Sequence, residues 1–222
     1  MRSFREIEAL AAERKGGADA LQALLSTPLP SREIAKIPDD RWLSAMTKCI
    51  FQAGFNWQVI ERKWDRFEEV FENFDVPRWS MMSDEDLDRL LKTKGIIANA
   101  AKIRAVGANA RFLSELSHRY GSAGAHFSDW KREQYCANLR ALQKNGARLG
   151  GRTGQIFLRR MGVDALIFSP DVLKALSREG VVARMPSSEK DFAAVQSAID
   201  TWAEETGRPL TQISQILALS VG

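Results

Sequence analysis

Residues 144–172, KNGARLGGRTGQIFLRRMGVDALIFSPDV, decide how the chain is read. Polar residues close one helix, a turn follows with Gly146, Gly150 and Gly151, and a second helix begins at once. An acid, Asp171, stands at the start of a third helix. Glycine lets a backbone take positive φ and approach a ligand closely. A helix N-terminus offers unpaired N–H groups at the positive end of the helix dipole. Together these features make a seat for a phosphate. Arg148 and Arg152 each bring a guanidinium to that seat, Thr153 brings a hydroxyl, and Gly150, Gly151 and Gly154 leave the backbone open. None of these groups reads a base, so such a seat grips a nucleic-acid backbone whatever its sequence. The same stretch also reads as an ordinary helix–turn–helix connection that uses glycine only to turn.

Helical periodicity extends outward from this hairpin in both directions. Apolar spacing and caps predict helices over 3–15, 19–25, 39–53, 56–72, 83–92, 99–120, 133–142, 153–160, 169–179, 188–205 and 209–219. The 56–72 segment carries Trp57, Ile60, Trp64, Phe67 and Phe71 as one apolar stripe. Ser83 with Asp86 and Ser188 with Asp191 have the spacing of capping boxes. In the hairpin's second helix, Ile156, Phe157 and Met161 are expected to face inward. No segment alternates as a strand would. The expected class is all-α, a single domain over 1–222 with two helical lobes, one hairpin-containing (40–165) and one for packing (1–39 with 166–222).

Bulk composition narrows the partners. The chain has 222 residues, 45% hydrophobic and 27% charged, with a formal net charge of +4 and a pI of about 9.2. That mildly basic balance suits a polyanionic partner without requiring one. Cys49 and Cys136, the two cysteines, lie far apart and make no disulfide framework, so a reducing, cytoplasmic setting is expected. Arg2, Arg5, Glu6 and Glu8 are unlike the start of a secretory signal, and no apolar run reaches membrane-spanning length.

Asp171 has two readings. In Ser169-Pro170-Asp171 the serine caps, proline takes the first helical position, and an acid in the first turn favours the dipole. The same placement keeps a carboxylate ionised and available for chemistry.

Taken with the hairpin, LGGRTGQIFLRRMG followed by Asp171 resembles the helix–hairpin–helix DNA glycosylase superfamily. Two further blocks resemble one family within it, the 3-methyladenine DNA glycosylase I family. They are FQAGFNWQVIERKW (51–64) and GIIANAAKIRAVGANA (95–110). Order and spacing agree from Trp42 to Gly162. The resemblance implies a helix–hairpin–helix glycosylase-like bundle that binds double-stranded DNA containing a damaged base, as a monomer, nucleoid-associated in a bacterium. It implies a monofunctional DNA glycosylase that excises alkylated bases, most of all 3-methyladenine, in base excision repair. Gln52 would plug and Phe55 wedge the duplex, with Gly54 in the turn between them. Trp57, with Trp42 second, would stack on the flipped base. A cationic base on an indole gains about 0.5–2 kcal/mol. Periodicity alone instead places Trp57 in the core. Asn99 and Lys102 match a polar loop near DNA, or else a solvated helix face. Asp171 matches the superfamily's catalytic aspartate, which would stabilise positive charge developing on the sugar.

The chain departs from the family in two places. Cys49 stands where the family has a base-pocket glutamate. The family's zinc ligands are missing: no cysteine or histidine precedes Cys49, none follows Cys136, and His118, His126 and Cys136 lack ligand spacing. Neither a metal nor a cofactor is therefore expected. Where bifunctional members of the superfamily carry a lysine, the chain has Arg152, which cannot form a Schiff base at neutral pH. Three alternatives stay open at this stage. They are a DNA-binding helix–hairpin–helix protein without catalysis, a glycosylase for a different lesion, and a helical interaction protein without DNA affinity.

Overall fold

Short polar side chains start many of the helices. Ser3, Ser83 and Ser188 each accept from the backbone N–H three residues on, and the acid there bonds back to the cap. Asn56, Asn99, Ser122 and Ser169 cap through a side-chain oxygen alone. A computed structural model describes residues 1–221; Gly222, the last residue of the expected packing lobe, lies outside the described residues. Among the described residues the regular structure is entirely helical. The helices are α1 Phe4–Lys15, α2 Ala18–Ala23, α3 Ser31–Ile34, α4 Asp39–Gln52, α5 Trp57–Arg62, α6 Trp64–Val70, α7 Val76–Ser80 and α8 Asp84–Lys92. They continue with α9 Ala100–Tyr120, α10 Ala123–Ser128, α11 Tyr135–Asn145, α12 Arg152–Arg160, α13 Pro170–Arg178, α14 Glu189–Thr206 and α15 Leu210–Leu219. No helix among the described residues is long and apolar enough to cross a membrane.

The chain divides into two units. The first comprises Met1–Leu29, Trp130–Arg140 and Gly162–Gly222; the second comprises Pro30–Asp129 and Ala141–Met161. In the first, α1 packs on α14 and α15, and α13 packs on α15. Phe4 meets Trp202 with ring centroids 5.7 Å apart. Asp164 accepts from Leu210 N at 2.9 Å and Thr211 N at 2.7 Å, capping α15 where Pro209 offers no side-chain acceptor.

In the second unit α9 is the axis against which α4, α7 and α10 pack, and α12 packs on α4. The expected helix over 56–72 is two helices, because Lys63 at φ −100° and ψ 0° interrupts the ladder between α5 and α6. Ile60, Trp64, Phe67 and Phe71 keep the buried stripe, whereas Trp57 at the start of α5 is 48% exposed. Trp64, Phe67, Phe71 and Phe74 form a stacked run. In α12, Gly154, Gln155, Phe157 and Leu158 are buried; Ile156, and Met161 at its end, are only half-buried.

Glu68 ties this unit together. It accepts from Arg41 Nη1 at 3.0 Å and Nη2 at 2.9 Å, from Ser44 Oγ at 2.6 Å and from Trp64 Nε1 at 3.0 Å. Burial works against its charged form, but the bonds from Arg41, Ser44 and Trp64 outweigh that and hold the carboxyl below its usual range. A depressed folded value means that the stabilisation is fully present above the unfolded glutamate pKa of about 4.3 and is lost as pH falls through the folded value. Glu68→Gln is expected to lower unfolding free energy at neutral pH by about 1–2 kcal/mol. Urea melts should show this gap closing below about pH 4.

Candidate active site

The site is built at the C-terminal end of α4. Helix ends leave carbonyls without partners at the negative pole of the dipole. Here Lys102 of α9 supplies the partner: its Nζ donates to Phe51 O at 3.1 Å and Ala53 O at 2.7 Å. The same ammonium lies 4.3 Å from the centroid of the Phe55 ring. Lys102 is 5% exposed, and burial, with Arg148 adding like charge, pulls its pKa down. It is thus not a solvated face residue, and it acts as a brace. Asn99 is also committed, capping α9 through Oδ1, which accepts from Lys102 N at 3.1 Å.

Beyond the brace the chain turns through Ala53 and Gly54, the latter at φ +76°, to the Asn56 cap of α5. This turn leaves Phe55 41% exposed beside Trp57. The hairpin, from Gly146 to Gly151, joins α11 to α12. Asn109 of α9 clamps it: Ala147 N donates to Asn109 Oδ1 at 2.8 Å, and Asn109 Nδ2 donates to Ala147 O at 3.1 Å. Leu149 is fully buried, while Arg148, Gly150, Gly151 and Arg152 are exposed. Neither Arg148 nor Arg152 has an ion-pair partner among the described residues, and α12 begins at Gly151 (φ +55°) without a side-chain cap. A side chain at Gly150 would meet open space. Gly154 is different from the expectation, because it is buried and a Cβ there would lie 2.4 Å from Leu149 O. Packing, not access to a ligand, requires that glycine.

A cavity of about 310 Å³ lies where the two blocks meet. Cys49, Gln52, the Ala53–Phe55 turn and Trp57 form one side, and Arg152, Thr153 and Ile156 of α12 form the other. A polar chain runs along its wall. Lys48 Nζ pairs with Glu61 at 2.6 Å, and Gln52 Nε2 donates to Glu61 Oε1 at 2.9 Å. Arg160 Nη1 donates to Gln52 Oε1 in a close contact and reaches Cys49 Sγ at 3.4 Å. The Arg160 guanidinium lies 4.6 Å from the Trp57 ring centroid. Gln52, 1% exposed, therefore has both ends of its amide engaged. Burial pushes the Cys49 thiol up, against the pull of Arg160, so it stays protonated.

Trp42 is not part of this wall. It is fully buried, stacked on Phe127 at 4.6 Å with its edge to Phe157, and its Nε1 donates to Ile37 O at 3.1 Å. A core indole of this kind offers no face to a base. Asp171, in the first unit, sits in the first turn of α13 below its Ser169 cap. Its side chain is 42% exposed and pairs with Lys174 at 2.9 Å. The zinc of the resembling family does not fit this chain. Cys136 is pushed up to about 12 by burial, and no group of three His, Cys, Asp or Glu side chains among the described residues could hold a metal.

Known proteins share parts of this sequence and its fold. The family model described as methyladenine glycosylase matches residues 36–148. The chain is 37% identical over 60 residues to DNA-3-methyladenine glycosylase 1 of Escherichia coli (strain K12), a match covering 27% of this chain and 32% of that protein. The chain thus spans about a third of that relative's length. Two solved structures share the fold. A 3-methyladenine DNA glycosylase I from Staphylococcus aureus superposes with a TM-score of 0.51 at 21% identity, covering 63% of this chain and 80% of that one. The 8-oxoguanine DNA glycosylase of Methanocaldococcus jannaschii superposes with 0.54 at 15% identity, covering 95% and 91%.

The clamp gives a direct test of how the hairpin is held. Asn109→Ala strands the Ala147 N–H and C=O and should cost about 1–3 kcal/mol. Amide exchange at Ala147 should accelerate well beyond that of the α9 core amides; equal protection in both proteins would show that the clamp is dispensable.

Proposed function

The chain belongs to the methyladenine glycosylase family, and we propose that it is a monofunctional DNA glycosylase acting on alkylated bases in double-stranded DNA. The observation that carries this reading is the cavity itself, where exposed Trp57 and the start of α12 face the same space. 3-Methyladenine, the base named for its relatives, is the first lesion to test. The setting in this reading is the cytoplasm, with the protein acting as a monomer.

Reaching a base in a duplex requires turning it out of the stack, at a cost of a few kcal/mol. Arg148 and Arg152, both free of ion pairs, hold the phosphates beside Gly150 and Gly151. Phe55 enters the stack where the base leaves it, backed by the Lys102 ammonium. Trp57 receives the base by stacking. Breaking the glycosidic bond builds positive charge on the sugar, and Asp171 is the carboxylate assigned to stabilise it and orient the attacking water. Lys174 Nζ donates to that carboxylate at 2.9 Å. With arginine at position 152, hydrolysis stops at base release and the strand is left intact. Protonated Cys49 in place of a carboxylate favours one rival, a binder without catalysis, and the same assay separates the two.

Methylated genomic DNA incubated with the protein should release free methylated bases, identified by chromatography; if no base appears from it or from duplexes carrying a neutral adduct, the binder is the correct reading. Asp171→Asn should still bind the DNA and release base at least about 100-fold more slowly. Near wild-type release by that variant removes Asp171 from the chemistry. Arg152→Ala should weaken binding to any sequence and reduce the slope of log K against log salt by about one. An unchanged slope means that Arg152 does not meet a phosphate.

A further inference from the structure

One face of the exposed Trp57 ring carries a cation at the edge of the cavity. The Arg160 guanidinium lies 4.6 Å from the ring centroid, bonded to Gln52 and in reach of Cys49 Sγ at 3.4 Å. Gln52 is held in turn by Glu61, and Glu61 by Lys48. The arginine is therefore placed by a chain of contacts running back into α4 and α5.

We propose that Arg160 determines base choice within the alkylated class, so that the seat takes neutral adducts that turn a hydrogen-bond acceptor toward the guanidinium in preference to adducts that carry a positive charge. The proposal rests on the glycosylase reading and names the substrate class of that same site. The one ionised side chain lining the cavity is a cation, Arg152, and Arg160 adds a second at its edge. The carboxylate nearest the wall, Glu61, is matched by Lys48 at 2.6 Å. Cys49 contributes no negative charge. A cationic base on Trp57 would face the guanidinium as a like charge, and expulsion of water would strengthen the repulsion. A neutral base reverses the sign. Its ring oxygen or nitrogen can replace Gln52 Oε1 as acceptor, and a charge-assisted bond is the stronger kind.

The same placement suits the harder departure of a neutral base. The C1′–N bond breaks with both electrons passing to the base, and water adds its oxygen to C1′. One proton of that water ends on the departing nitrogen, leaving a neutral free base and a sugar hydroxyl. Negative charge grows on the base before that proton arrives, and a guanidinium bonded to its acceptor edge stabilises it. A cationic base departs as a neutral molecule and gains nothing from Arg160.

The test uses the full chain and duplexes with one lesion each, under single-turnover conditions. 7-Methylguanine is the cationic probe, and 1,N6-ethenoadenine is the neutral one. Wild type should release the neutral base faster. Arg160→Gln, which keeps hydrogen bonding and removes charge, should move the neutral-to-cationic rate ratio at least about tenfold toward the cationic base. Arg160→Lys should keep the preference but release neutral bases more slowly, because an ammonium lacks the planar stack. Faster release of 7-methylguanine by wild type overturns the proposal without recourse to any variant. A rate ratio unchanged in Arg160→Gln also overturns it, and the glycosylase reading survives both results. Release of no base from methylated genomic DNA or from any of these duplexes defeats the glycosylase reading and the proposal with it.

Discussion

The buried ammonium of Lys102 is the contact from which the site is organised. A charge with 5% exposure is tolerated only when its donors are matched, and here they are matched by Phe51 O and Ala53 O. Those carbonyls are the loose end of α4, so one side chain ends that helix, docks it to α9 and sets the direction of the next turn. The turn then presents Phe55 and Trp57 on adjacent exposed positions. A neutral side chain of similar length would leave the carbonyls unpaired and the turn without a fixed exit. Asn109, on the same helix, does the equivalent work for the hairpin at Ala147. Helix α9 is thus a rigid post that orients both walls of the cavity.

The glycines divide by the demand each one meets. Gly154 and Gly146 are packing glycines, since a Cβ at either would collide with Leu149 or the Leu142 carbonyl. Gly151, at φ +55° and ψ −135°, takes a backbone conformation that side chains disfavour. Gly150 meets neither demand, having open space around it and no positive φ. Nothing inside the protein requires its lack of a side chain. The phosphate-seat reading therefore concentrates on Gly150, Gly151 and the two flanking arginines, and no longer includes Gly154.

How much was legible in the sequence depended on whether a feature is local. The all-α class, the capping boxes and the hairpin followed from periodicity and from residues a few positions apart, and each is present. Trp57 was misjudged by periodicity, because the break at Lys63 could not be seen from an apolar stripe that runs on unbroken. Trp42 was misjudged in the opposite sense, because its burial depends on Phe127 and Phe157, both distant in the chain. Lys102 read as a surface cation because side-chain type says nothing of where an ammonium points. Arg160 carried no signal at all. It ends α12 in an Arg159–Arg160 pair, and only folding brings one member over an indole from α5.

That last contact changes what the missing glutamate means. Loss of a carboxylate from a base pocket reads, from the sequence, as weakening: a catalytic or recognition group is gone. The space beside Cys49 holds charge of the opposite sign, since Arg160 lies against the thiol and is anchored by Gln52. Removing an anion and adding a cation are both unfavourable for a cationic guest, and both favour a guest rich in acceptors. Two changes far apart in the chain therefore act in one direction. The arginine is held in place through Gln52, Glu61 and Lys48. That ordered chain of contacts fixes a positive charge at the edge of a cavity whose walls are set by the Lys102 brace and the hairpin.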